Sequence, residues 1–322
     1  MELFSYHDYG VDEAILTFNP DTNAILDTEG VDNETLPSER LYGVEIEFEF
    51  EDEGCKFDKE EKIEVYHEAY GNITVDNPNY DDCYEPDIYR YYKDLDSNGW
   101  FHIEEDGSLE AGFEMISAPL SRKAVDHFFG LEDVVDTFNN SLGHVGTNGL
   151  HIHVFDKESI SKTRLAYLVY RMQDRLAELT RRSGYARFYN DMSYTSWATT
   201  SEEFRLMGSD YHSKFMYALV NRKNSVFGER NAINLQGGKN HVEFRFFRVP
   251  YKSENFTERC QNYVKLIDRL LEISKEFRMY QLMRMDFEID DDFNIRCSFN
   301  SDPEVEENLW DKAIKQYRFV TK

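Results

Sequence analysis

Four short segments of this chain carry residues whose types and spacing suit metal and phosphate chemistry. They are Gly43-Val-Glu-Ile-Glu-Phe-Glu49, Asp106-Gly-Ser-Leu-Glu-Ala-Gly-Phe-Glu114, Gly149-Leu-His-Ile-His-Val154 and His241-Val-Glu-Phe-Arg245. In each, acids, histidines or arginines alternate with apolar residues. An extended strand sends alternate side chains to the same face. Glu45, Glu47 and Glu49 therefore share one face, and Val44, Ile46 and Phe48 share the other. His151 pairs with His153 by the same rule, and Glu243 with Arg245. Carboxylates are hard oxygen ligands for magnesium or manganese. Histidine can ligate a metal or donate to phosphate, and arginine meets phosphate with two parallel bonds. Four such strands side by side would build a metal–nucleotide site on one sheet face.

Each segment also has a plainer reading, and the residues alone leave both open. In so acidic a chain, an amphipathic surface strand gives the Glu45, Glu47, Glu49 pattern without any metal. Asp106-Gly107 is a strong turn signal. Asp106 and Glu114, eight residues apart, therefore share a strand face or flank a bend, as they also would in a hairpin with solvated acids. His151 and His153 fit a metal or an ordinary surface, and no cysteine or third histidine stands beside them at zinc spacing. Glu243 and Arg245 would serve equally as an ion pair. Arg230, in Gly228-Glu-Arg-Asn231, and Arg222 would add positive charge. No GxxxxGK[ST] run occurs, which excludes a P-loop.

Taken in order, the motifs resemble those of the amidoligase family. They are Gly-x-Glu-x-Glu at 43–47, Asp-Gly-Ser-x-Glu at 106–110 with Glu114-Met-Ile-Ser-Ala-Pro119, Gly-x-His-x-His at 149–153 and Val-Glu-Phe-Arg at 242–245. Amidoligases are carboxylate–amine ligases similar to glutamine synthetase and glutamate–cysteine ligase. The likeness spans roughly residues 41–275 and leaves out residues 1–38 and an insertion at about 51–98. It implies an α+β fold in which a curved, mainly antiparallel sheet carries metals and ATP phosphates on its concave side, with helices on the outer face. It implies that Glu45, Glu243 and His151 hold one magnesium or manganese ion, and Glu47, Asp106 and Glu114 the other. His153 and Arg245 are implied as ATP-phosphate contacts, with Arg230 a further nucleotide-binding candidate, and Arg245, Glu47 and Asp106 as catalytic residues. The implied reaction is ATP-dependent amide or isopeptide formation through an acyl phosphate, releasing ADP and phosphate. Two alternatives stand beside it: a relic of the fold acting as an interaction or structural protein, and a metal-dependent hydrolase using the same carboxylates.

The elements that must position these residues are partly legible. Residues 122–139 carry Val125, Phe128, Leu131, Val135 and Phe138 at helical steps. Residues 161–182 place Leu165, Leu168, Met172, Leu176 and Leu179 on one stripe, and residues 254–278 do so with Phe256, Cys260, Tyr263, Ile267, Leu270, Ile273 and Phe277. A weaker helix is expected over 201–220 and a short one near 304–317. Residues 1–38 read as an acidic arm with a short strand or two, and 51–98 as an acidic, Tyr-rich surface insertion with room for one short helix. Strands interspersed with helices in this order predict an α+β domain over 39–322, with a sheet covered by helices on one face.

Composition narrows the partners. The chain has 322 residues, of which 41% are hydrophobic and 15% aromatic, enough to bury a large core. Its 62 acids and 36 bases leave a formal charge of −26. Such a surface repels nucleic acid and anionic membranes. It favours a cationic partner such as a polyamine or a lysine-bearing substrate, although solubility alone also accounts for it; the resemblance implies a carboxylate donor and an amine acceptor, whether a small molecule, a polyamine or a protein side chain. No apolar run approaches a bilayer span, and the N-terminus lacks the basic start and apolar stretch of a secretory signal. Cys55, Cys83, Cys260 and Cys297 are scattered, so the expectation is a cytoplasmic protein with reduced cysteines.

Overall fold

Alternation of polar and apolar residues decides the centre of the fold. The structure, a computed structural model, describes residues 17–19, 24–26, 40–50, 62–67, 71–76, 100–104, 106, 109, 112–145, 148–156, 158, 160–180, 211–228, 231–236, 238–299 and 309–318. Strands β1 (Thr17–Asn19) and β2 (Ala24–Leu26) pair in the N-terminal arm. Strand β3 (Leu41–Glu49) is followed by a separate hairpin of β4 (Lys62–His67) and β5 (Gly71–Asp76). That hairpin lies within the insertion at 51–98, whose remaining residues 51–61, 68–70 and 77–98, with the short helix expected there, lie outside the described residues. Its β-branched and aromatic residues, Ile63, Val65, Tyr66, Ile73 and Val75, suit a pleated surface.

The chain continues through β6 (Phe101–Glu104), β7 (Gly112–Ser117) and β8 (Leu120–Ser121) into helices α1 (Arg122–Phe128) and α2 (Glu132–Asn140). Then come β9 (Gly149–Phe155), α3 (Lys162–Thr180), α4 (Tyr211–Val220), α5 (Asn224–Phe227), β10 (Ile233–Asn234) and β11 (His241–Arg248). Helices α6 (Phe256–Glu276) and α7 (Met279–Leu282), hairpin β12 (Met285–Ile289)–β13 (Ile295–Phe299) and helix α8 (Leu309–Tyr317) complete it. The main sheet has seven strands in the order β10-β11-β9-β3-β7-β6, with β8 also on β3, and every pairing is antiparallel. The architecture is α+β. No helix among the described residues is long and apolar enough to cross a membrane.

One sheet face is dry. Val44, Ile46, Phe48, Phe113, Met115, Leu150, Ile152, Val154, Val242 and Phe244 are all fully buried there. Each such side chain contributes about 1.5–3 kcal/mol relative to exposure. Helix α6 packs against this face: Phe256 lies 6.5 Å from Phe48, and Tyr263 stacks on Phe247 at 4.4 Å. Its N-cap, Asn255, accepts a bond from the Glu258 N–H at 3.2 Å. Ion pairs tie α6 to the chain just before β3, just after β8 and just after β9. Asp268 takes Arg40 at 2.8 Å and Arg122 at 2.7 Å, and it also accepts the Tyr42 hydroxyl. Asp156 takes Arg40 at 2.9 Å and Lys275 at 2.8 Å.

The helices expected over 161–182, 254–278, 201–220 and near 304–317 appear as α3, α6, α4 and α8, with residues 181–182, 201–210 and 304–308 outside the described residues. The stretch 122–139 differs, being two helices rather than one. Gly130 donates to His127 and ends the first turn, and Leu131 in extended backbone starts the second helix. The break turns Val134 and Phe138 into the core together.

Gly112 sets how closely β7 can approach β3. A Cβ there would lie 2.1 Å from the Phe48 carbonyl oxygen, a backbone atom that cannot swing aside. Gly112→Ala is expected to destabilise the fold by about 1–3 kcal/mol, read as a lower urea midpoint. Gly238→Ala, where a Cβ meets nothing within 4 Å, is expected to stay within about 0.5 kcal/mol of wild type.

Candidate metal centre

Register does across the sheet what spacing does along each strand. Glu45 lies opposite His151, and Glu47 opposite Glu114. Glu243 lies opposite both His153 and Asn234, and Glu104 opposite Glu114. Since alternation holds through each of these pairs, their side chains rise from the face turned away from the core. Strand β11 also carries a bulge. Phe244 pairs with Ile152 but Phe247 with Leu150, so Arg245 and Phe246 together oppose His151. The Arg245 N–H turns instead to the Ala232 carbonyl at 2.9 Å. Bulges re-aim side chains in this way beside functional sites.

Two groups of ligand atoms form on this face. One oxygen or nitrogen from each of Glu45, His151 and Glu243 lies within 4.8 Å of the others, and the same holds for Glu47, Glu114 and His151. His151 Nδ1 is 3.0 Å from Glu45 Oε2 and 3.9 Å from Glu243 Oε1. His151 Nε2 is buried without a hydrogen-bond partner, and Glu47 Oε1 stands 3.7 Å away. Glu47 also accepts the Gly149 N–H. His153 Nε2 lies 2.8 Å from Glu45 Oε1, and its Nδ1 is 3.0 Å from His241 Nε2 on a stacked ring. Glu243 is bonded by Asn234 at 2.8 Å and by Arg245.

The electrostatics follow from this crowding. Burial favours the neutral form of Glu45, yet the facing His153 and His151 hold its carboxyl well below the usual range. Burial likewise works against charge on His153, but the Glu45 carboxylate raises it above the ordinary imidazole value. His241 goes the other way, down to about 4, through burial and the neighbouring charge of His153. The contact between His153 Nδ1 and His241 Nε2 thus joins an imidazole whose charged form is favoured to one whose charged form is disfavoured. Glu114 is pushed up to about 9 by burial and by the charges of Glu45, Glu47, Asp106 and Glu104. Those neighbouring charges favour its protonated form at neutral pH.

Of the residues marked out by sequence, Glu45, Glu47, Glu114, Glu243 and His151 converge, and His153 and Arg245 adjoin them. Asp106 sits in the connection between β6 and β7, its carbonyl accepting from the Leu109 N–H at 3.0 Å. Its charge reaches Glu114, but it belongs to neither group of ligand atoms. Asp106 and Glu114 thus flank a bend. Arg230 lies outside the described residues. Three contributors were not picked out by sequence reasoning: His241, Asn234 and Glu104. His241 had a signal, since it shares the parity of Glu243 and Arg245. Asn234, on a two-residue strand, had none. Oxygen-rich triads with one imidazole suit magnesium or manganese, and the buried His151 Nε2, without a hydrogen-bond partner, fits a ligand role. No protein-family model matches the chain, and no curated protein matches it.

Proton counts set the pH dependence. Between 4.5, the ordinary value, and about 9, folded Glu114 holds a proton that the unfolded chain has lost. Stability from this group is therefore full below pH 4.5 and is lost as pH rises towards 9. Urea unfolding in metal-free buffer should show that decline, and Glu114→Gln, neutral throughout, should flatten it. An unchanged slope would place the proton elsewhere.

Proposed function

We propose that this chain is an ATP- and magnesium-dependent carboxylate–amine ligase of the amidoligase kind. The observation that carries the reading is the pair of ligand triads sharing His151 on one sheet face, beside a forked guanidinium and the His153 imidazole, 2.8 Å from Glu45. On this reading the seven-stranded sheet is the curved half-funnel of glutamine-synthetase-like ligases. Glu45, Glu243 and His151 would hold one cation, and Glu47 and Glu114, with Asp106 near, the other. Bound magnesium or manganese supplies the charge neutralisation that lets a triphosphate and a carboxylate approach each other.

The chain's own groups do the rest. Arg245 exchanges its Glu243 partner for phosphate oxygens, which its planar fork matches. His153 adds positive charge where phosphate charge develops. A carboxylate oxygen of the donor attacks the terminal phosphorus, and ADP leaves. An amine then attacks the acyl carbon, the amide bond forms, phosphate departs and the nitrogen gives up a proton. The formal charge of −26 favours a cationic amine, such as a polyamine or a lysine side chain.

Metal linkage tests the site. At a hundredfold excess over its dissociation constant, one magnesium should raise the unfolding free energy by about 2.7 kcal/mol, with a proton released from Glu114 near neutral pH. Glu47→Gln keeps an oxygen for the Gly149 N–H but removes a charged ligand, so it should lose most of that gain. Equal gains in wild type and variant would put the ion elsewhere.

Hydroxylamine tests the reaction without knowledge of the natural amine. With ATP, magnesium and a panel of carboxylates, the chain should form a hydroxamate and release ADP and phosphate. Arg245→Lys should slow this on the order of a hundredfold, because a point charge replaces a two-pronged donor. AMP and pyrophosphate as products would replace the acyl phosphate with an adenylate. No hydroxamate from a broad panel, with ATP bound but unconsumed, would favour a relic site.

A further inference from the structure

A cavity of about 1000 Å³ opens where the start of α3, the end of α4, α7 and α8 meet, and no residue of the acidic cluster lines it. Its described lining includes Arg164, Arg222, Arg278 and Arg318 and no carboxylate. In a chain with 62 acids and 36 bases, that lining runs against the composition. Guanidiniums gathered in one concavity repel each other, and none of these four forms an ion pair with a described carboxylate. Arg164 is held instead by neutral acceptors, the Ser161 hydroxyl at 2.6 Å and the Phe277 carbonyl at 2.8 Å. The first turn of α3, a 19-residue helix, adds its own partial positive charge at the rim.

Arg222 carries a second clue. It closes α4 in a turn where the Lys223 N–H donates to the Ala218 carbonyl at 2.9 Å and the Arg222 N–H to the Leu219 carbonyl at 3.4 Å. Its φ is 49°, the left-handed region. Glycine or asparagine normally fills that place, since a Cβ is disfavoured there. Strain of this kind gathers at ligand sites. The remainder of the lining supplies an apolar wall, with Trp310, Met279 and Ile314. The volume is that of a small-molecule site.

We infer that this cavity binds a small organic phosphate, its anionic groups among Arg164, Arg222, Arg278 and Arg318 and its flat apolar part against Trp310. The site needs no metal and does not depend on the ligase reading. The test is calorimetric titration of the full chain with 1-naphthyl phosphate and, separately, inorganic pyrophosphate, both in EDTA. One molecule of either should bind per chain, more weakly as salt rises. Arg222→Gly removes a guanidinium and relieves the left-handed backbone, so it should weaken both probes about tenfold or more while leaving the thermal midpoint unchanged or higher. Trp310→Ala should weaken naphthyl phosphate and leave pyrophosphate binding intact. Absence of binding at millimolar probe would overturn the inference. So would equal affinity in wild type, Arg222→Gly and a second lining variant, Arg278→Ala, or loss of binding in Glu47→Gln.

Discussion

Four glutamates, two histidines and an arginine stand on one sheet face, most of them buried or half-buried, and like charges repel strongly where the dielectric is reduced. The chain answers most of that repulsion internally. Glu45 sits between His151 and His153, Glu243 between Asn234 and Arg245, and Glu47 against the Gly149 N–H. Glu114 faces Glu47 across the pair β3–β7, with no described basic side chain paired to it. Among the described residues the cluster carries more acid than base, and the protonated form of Glu114 is favoured. A divalent cation would offset that excess with more charge and with oxygen ligands already turned towards it.

Such a cluster holds only if the sheet cannot slip. A register shift of one residue along β3 would exchange Val44, Ile46 and Phe48 for Glu45, Glu47 and Glu49 on the core side. The hydrophobic face thus fixes where the acids point. Gly112 brings β7 close enough to set Glu114 against Glu47. At the other end of β3, the Arg40, Tyr42, Asp268 and Arg122 contacts fasten α6 to the strands beneath it. Charge is also sorted over the molecule. Acids gather on the open sheet face, while a cavity among helices is lined by arginines.

Much of this could be read from residue order. Period-two alternation in the segments around Glu45, His151 and Glu243 is a local property of extended backbone, so the shared faces follow from sequence. Helical stripes over α3 and α6 are local in the same sense. Where propensity competes with alternatives the reading was weaker. A glycine split the expected helix at 130, and the described part of the acidic insertion is a hairpin.

The sequence by itself determined which residues share a strand face, because that depends only on neighbours along the chain. It did not determine that β9 lies between β3 and β11, nor which residue pairs with which, because register is set by packing between distant segments. The bulge at Arg245 and Phe246 belongs to that class: simple alternation would send Phe247 to the acidic face, whereas the extra residue turns both Phe246 and Phe247 into the core. The same holds for the proton on Glu114 and the contact of His153 with His241. Both arise from charges and dipoles brought together through space, and only the folded chain sets those distances.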